Sequence, residues 1–282
     1  MKAVKLFSFL MLMGLLYSTN TFAQQEVLDG IYVKEHHPAK RVIPYTPLRE
    51  ADVMWLKRVW RVMDLREKIN HPLYYPTEKI MDRQSMTQLI YESVVNPDAP
   101  ATITPYDVMD DEFTIRLTPA EVEAKTTRID TEYVENEMGD LEPLPIKEVF
   151  APYSVRRYKM KEEWFFDNQK SVMEPRIIGM CPVQEVLDEM GEYKGDMSLF
   201  WIYFPEARIA FSTVPIYNEH NDAERRTLED IFWKRKFSSY ISKESNVYDR
   251  KIETYKQDLD LLLESKRIEH EIFQREQDLW EY

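Results

Sequence analysis

The sequence predicts an α+β protein with N-terminal helices, a small antiparallel β-meander and a helical C-terminal third. Three observations carry that prediction. Apolar residues recur at helical spacing between positions 46 and 95. Between 155 and 204, three runs rich in β-branched and aromatic residues are separated by polar turns. After Pro215, neither Gly nor Pro occurs in the 67 residues to Tyr282.

Residues 1–23 read as a signal peptide. Lys2 and Lys5 form a basic start, Leu6 to Tyr17 an apolar run, and Thr21-Phe22-Ala23 a small-residue cleavage site that makes Gln24 the expected mature start. The apolar run is too short for a stop-transfer helix. No Cys follows the cleavage site, so no lipid anchor is expected there, and the mature protein is expected to be soluble and exported. Residues 24–45 read as an arm, with a turn at Asp29-Gly30 and prolines at 38 and 44.

Residues 46–97 read as a helical segment. Thr46-Pro47 fits an N-cap followed by proline at the first helical position. Val53, Leu56, Val59, Trp60 and Met63 then mark an inward face, and Lys57, Arg58, Arg61, Arg66 and Lys68 the other, up to a stop at Asn70-His71-Pro72. A second helix is predicted from Ser85 to Val95, with Met86, Leu89, Ile90 and Val94 inward. Residues 98–150 hold fourteen acids and four bases and are interrupted by prolines, which predicts irregular structure. Within them, Phe113 to Leu117 reads as a short strand. Thr118-Pro119 opens a short helix, with Glu121 at the capping-box position.

Residues 151–282 read as an α+β region with long C-terminal helices. Strands are expected from Arg157 to Phe166, from Ser171 to Val186 and from Leu199 to Phe204, with a polar turn at Asp167 to Lys170. Pro175 cannot donate to a ladder, so it belongs at an edge or a bulge. Pro205 to Arg208 starts a helical turn. Leu228, Ile231, Phe232, Tyr240 and Ile241 then mark one helix, and Ile252, Tyr255, Leu259 and Leu262 another. Ile268, Ile272 and Leu279 continue that second helix on a shifted stripe. A helix from Tyr248 to Leu279 would be on the order of 48 Å long, suited to reaching a neighbouring subunit or to wrapping its own domain.

Charge and chemistry then narrow the function. Thirty-seven Lys+Arg stand against 50 Asp+Glu, a net charge of −13; removal of Lys2 and Lys5 with the first 23 residues makes it two units more negative, −15. Such a chain repels nucleic acid and anionic membrane surfaces. Apolar residues at 44% exclude disorder, and about 260 mature residues suffice for a real core. The single Cys181 rules out an internal disulfide and reads as a buried small hydrophobe. The five histidines lack metal-ligand spacing, and no phosphate loop, nucleophile elbow or dinucleotide fingerprint occurs. No catalytic residue, cofactor or metal is therefore expected. The features that stand out are aromatic residues flanked by basic ones, the composition that interface hot spots favour, although such tryptophans can equally be core residues with arginines over their edges. The expected partner-contact residues are Trp55, Arg58, Trp60, Arg61, Arg66, Arg157, Trp233, Tyr248 and Arg250.

Several runs carry a family resemblance. Arg49 to Trp55, Lys57 to Arg61 and Asp64 to Asn70 resemble the helix of the gliding motility GldN family, also called PorN. Glu163 to Asp167, Phe200 to Arg208, Phe237 to Ser239, Lys243 to Arg250 and Asp278 to Tyr282 are also similar to that family. The resemblance implies a periplasmic structural subunit of the type IX secretion system. It also implies assembly into rings with an outer-membrane lipoprotein (GldK, or PorK) and contact with the periplasmic part of the motor protein GldM (PorM). It brings no catalytic residues. On the helical reading, reversing the charges of Arg58 and Arg61 should abolish partner binding and leave the fold intact. The rival readings are a module that binds cargo or peptidoglycan through the acidic 98–150 segment, and an exported hydrolase with a carboxylate pair.

Overall fold

The computed structural model describes residues 41–80, 83–135, 141–148, 150–188, 191–218, 221, 223–224 and 226–278. The chain divides into Met1–Pro38 and Ala39–Tyr282, and the architecture below is that of the second unit. The signal-peptide reading, most of the arm, and Leu279 and Trp280 lie outside the described residues.

Eleven strands are described: β1 (Val53–Asp64), β2 (Pro105–Tyr106), β3 (Arg128–Glu135), β4 (Leu141–Glu148), β5 (Val155–Asp167), β6 (Val172–Leu187), β7 (Tyr193–Ser198), β8 (Trp201–Tyr203), β9 (Pro215–Ile216), β10 (Arg226–Thr227) and β11 (Tyr240–Glu244). The helices are α1 (His71–Tyr74), α2 (Met86–Val95), α3 (Pro119–Thr126), α4 (Phe204–Phe211), α5 (Leu228–Trp233) and α6 (Asp258–Asp278). The main sheet runs β11-β1-β5-β6-β8-β2, with β7 beside β6; every pairing is antiparallel. The predicted meander is its centre. Pro175 faces Trp164 of β5, and the strands on the other side of β6 pair only from Gly179 onward. Its missing N–H therefore falls on an open edge.

The two faces of the sheet do different things. Val59 and Met63 of β1 are buried on one face. Val59 packs with Ile241, Ile252, Ile268 and Ile272, which brings α6 onto the sheet. Met63 joins Tyr158, Met160 and Met180 against α2, α4 and α5. Tyr158 is fully buried and shares a 2.6 Å hydrogen bond with Thr87 of α2, which keeps its phenol satisfied in an apolar core. The other face holds Tyr106, Cys181 and Trp201, with Trp60 and Phe113 against them. Phe113 sits at φ 61° in the loop between β2 and α3, its ring against Gly179. A Cβ at 179 would lie 2.3 Å from Phe113 Cζ, so only glycine lets this loop lie flat on the sheet.

Three helices carry complete capping boxes: Ser85 with Gln88, Thr118 with Glu121, and Thr227 with Asp230. The first two fall where the sequence places them. Ser85→Ala is expected to cost about 1 kcal/mol, because the buried start of α2 loses its side-chain acceptor; thermal unfolding of the variant checks this.

Four expectations are corrected. The first predicted helix is the twelve-residue strand β1, preceded only by a 3-10 turn at Glu50–Asp52. Tyr240 and Ile241 belong to β11 and not to the helix of Leu228, so that helix ends at Trp233. The long C-terminal helix begins at Asp258, not Tyr248; its 21 residues span about 32 Å. Finally, Phe113 to Leu117 forms no strand, only a bridge between Arg116 and Tyr106. The acidic segment instead carries the β3–β4 hairpin. Pro143 and Pro145 of β4 are two apart, so both put their missing N–H on the open side of that hairpin.

Candidate functional site

The nine candidate contact residues do not form one surface, because β1 has a period of two where a helix was expected. Arg58 and Trp60 lie on the face beneath the 107–116 loop, whereas Trp55 and Arg61 lie on the helix-covered face. Arg58 donates through Nε and Nη2 to Glu163 Oε1 at 2.9 and 2.6 Å and stays partly exposed. Trp60 donates to Asp111 Oδ2 at 2.9 Å, and its ring lies 4.4 Å from Lys243 Nζ and 6.0 Å from Lys161 Nζ. Lys161 is buried, and burial pulls its ammonium below the ordinary lysine value; the Asp111 carboxylate opposes that through its charge and a side-chain hydrogen bond, and Lys161 also donates to the Asp111 backbone carbonyl.

Arg61 is only 5% exposed. It donates to Ser239 Oγ at 2.8 Å, to Ser239 O at 3.1 Å and to Glu269 of α6 at 2.9 Å. It ties β1 to α6 and is no surface contact, so charge reversal there cannot spare the fold. Trp55 packs beside the same cluster under the Arg275 guanidinium at 5.9 Å. Arg66 is held by Asp64 at 2.6 Å and Glu185 at 3.4 Å, and Arg157 by Asp196 and Asp64. Burial pushes the Asp64 carboxyl up, but hydrogen bonds from Arg66 and the charges of Arg66 and Arg157 hold it below its usual value.

The remaining candidates are open. Trp233, 48% exposed, stacks on Tyr45 at 6.2 Å, and the buried Arg208 guanidinium lies 4.3 Å from Tyr45 and 5.0 Å from Trp233. Arg208 pairs with Glu229 at 2.6 Å, and Arg176 Nη2 donates to Thr46 O at 2.8 Å. This aromatic–basic socket holds the end of the arm, and only its Trp233 was legible as a contact. Burial raises the Tyr45 phenol despite the two arginines.

The loop after β11 presents Val247, 98% exposed, and Tyr248, 76% exposed. It is rigid by construction. Asn246 Nδ2 donates to the carbonyls of Glu244 and Arg250, and its Oδ1 accepts from the N–H groups of Tyr248 and Arg250. Arg250 lies 4.9 Å from the Tyr248 ring and 4.6 Å from the Tyr255 ring. Sequence reasoning found Tyr248 and Arg250 but missed Val247. On α6, the residues facing away from Ile268 and Ile272 include Leu259, Leu263 and Phe273, all exposed. The shifted stripe in the sequence was the signal for this second face.

Three acids of the 98–150 segment, Asp107, Asp110 and Glu121, serve the segment itself. Asp110 accepts three backbone N–H groups and the Thr114 hydroxyl, and Asp107 pairs with Lys125 at 3.1 Å. Among the described residues, no group of three or more His, Cys, Asp or Glu is placed to hold a metal ion, and no helix is long and apolar enough to cross a membrane. Cys181 is buried, and burial pushes its thiol up to about 12. A maleimide at pH 8 is expected to leave it unlabelled in the native protein and to label it after denaturation; mass spectrometry reads both states.

Residues 48–281 match the family model described as gliding motility associated protein GldN. No curated protein matches the chain.

Proposed function

The chain belongs to the GldN family of gliding motility associated proteins, and on that premise we propose that it is a non-catalytic structural subunit of the periplasmic ring of the type IX secretion system. It assembles there with an outer-membrane lipoprotein of the GldK (PorK) type, and the ring meets the periplasmic part of a GldM (PorM)-type motor protein. The observation that carries this reading is the rigid display of apolar side chains to solvent. Val247 and Tyr248 are fixed outward by Asn246, and α6 keeps a second apolar stripe open while its first is buried. A chain that buries its core this fully and still exposes large residues on stiff elements is built for contact with other chains.

The test is co-expression of the mature chain with its cognate lipoprotein, affinity purification on one partner, and particle imaging. Closed rings containing both chains are the expected result. Two well-folded proteins that do not associate would overturn the reading.

A further inference from the structure

The β3–β4 hairpin is a ribbon of two eight-residue strands, and among the described residues no other strand pairs with either of them. Its two edges differ. Pro143 and Pro145 stand across from Tyr133 and Thr131. A proline sits in a ladder without losing a bond only where its nitrogen faces away from the partner strand, so these two are non-hydrogen-bonded pairs. In such pairs both residues turn their N–H and C=O groups outward. The outer edge of β3 therefore offers Ile129, Thr131, Tyr133 and Glu135 as an unbroken row of donors and acceptors. The outer edge of β4 keeps donors only at Leu141 and Lys147.

Sheets blunt the edges that must stay unpaired, and proline is one of the devices. β4 carries two prolines and β3 none. β3 also holds Ile129, Thr131, Tyr133 and Val134, residue types that favour strands. A ribbon of two strands is at best marginally stable in water, and a third strand is what makes such a sheet stand by itself. One edge of the hairpin is closed to pairing, and the other is suited to it.

We propose that the outer edge of β3 is a strand-addition site that takes an extended, lysine- or arginine-rich segment of a partner chain. Backbone groups supply the affinity, and charge selects the occupant. Between positions 128 and 148 the sequence has seven acids against two bases, and β3 itself holds Asp130, Glu132 and Glu135. Opposite charges across a strand pair stabilise it, and like charges directly opposite destabilise it. A second copy of β3 is therefore refused. Its outward residues are the odd-numbered ones, so only two two-fold antiparallel registers pair seven of its eight residues. One sets Glu132 against Glu132, and the other sets Asp130 against Glu132. The acids keep identical edges apart and leave this edge open to a basic strand. The site goes beyond the ring reading and does not depend on it.

Amide hydrogen exchange on the full mature chain, resolved residue by residue, tests this. The probe is an acetylated and amidated peptide of alternating Lys and Val, and the control is a Glu–Val peptide of the same length. At saturation the Lys–Val peptide is expected to slow exchange at Ile129, Thr131, Tyr133 and Glu135 by at least about fivefold, and to leave the outward amides of Leu141 and Lys147 unchanged. The Glu–Val peptide is expected to slow none of them. No slowing at the four β3 amides, equal slowing by both peptides, or slowing centred on Leu141 and Lys147 overturns the proposal. Tyr133→Pro removes an outward N–H that the β3–β4 ladder does not use, and it is expected to abolish the slowing at Thr131 and Glu135. Slowing that persists there overturns the proposal. Asp130→Lys combined with Glu132→Lys keeps the whole backbone edge and is expected to reverse the preference, so that the Glu–Val peptide protects and the Lys–Val peptide does not. An unchanged preference in that variant overturns the proposal as well.

Discussion

Arg61→Glu is expected to destabilise the protein by about 3–5 kcal/mol, the cost of leaving an uncompensated charge buried. For a chain of this size that lowers Tm by roughly 10 °C or more. The new carboxylate would lie next to Glu269 and would face Ser239 O, an acceptor, in a site only 5% exposed. Arg58→Glu, three residues away, is expected to change stability by less than about 1 kcal/mol, because its partner Glu163 is reached from a half-exposed position. Thermal unfolding followed by circular dichroism compares the two. Equal melting temperatures would mean that Arg61 is not the bolt between β1 and α6. Only Arg58→Glu is therefore a fair probe of partner binding from this strand.

Glu229→Ala is the second large effect. Arg208 and Glu229 are both buried and bonded at 2.6 and 3.3 Å. Removing the carboxylate strands a guanidinium between Phe204's helix and the Tyr45–Trp233 stack, again at about 3–5 kcal/mol. The double variant Arg208→Met/Glu229→Leu is expected to recover most of that loss, because an apolar pair of similar volume carries no desolvation penalty. It loses the cation–π contact that holds Tyr45, so Trp233 fluorescence should change and the 41–46 segment should become protease-sensitive even where Tm is restored. A double-mutant cycle separates the pair's coupling from the loss of the stack.

The sequence was legible where local chemistry decides the structure. The β5–β6 hairpin, the caps at Ser85 and Thr118 and the turn into α4 follow from turn residues and caps that act over a few positions. β1 was not legible. Its neighbours β11 and β5 are remote in sequence, and both its faces carry apolar residues, so Val53, Leu56, Trp60 and Met63 mimic a helical stripe. The valines and tryptophans were the better guide. The C-terminal third misled for another reason. The absence of Gly and Pro suggested unbroken helix, but the chain turns at Arg235, Asp249 and Asp258, all at positive φ. Arg235 breaks the first sequence-read helix before Tyr240, and Asp249 and Asp258 separate Tyr248 from the second; aspartate tolerates that conformation better than most residues. The same error of period joined Arg58 to Arg61 in one expected surface, when a strand puts neighbours of odd spacing on opposite sides.

The central position of β1 has a consequence for how the chain becomes a protein. Among the described residues it is the first strand in the chain, yet its two neighbours are residues 155–167 and 240–244, and Arg61 waits for a partner 208 positions later. Contacts of that span close slowly, because the loop entropy is lost before the contacts reward it. The middle of the sheet therefore cannot set until nearly the whole polypeptide is present. A chain ended before residue 240 would leave β1 with one bare edge, a template for aggregation. A polypeptide with this order of assembly keeps its central strand half-paired until its last third has been made.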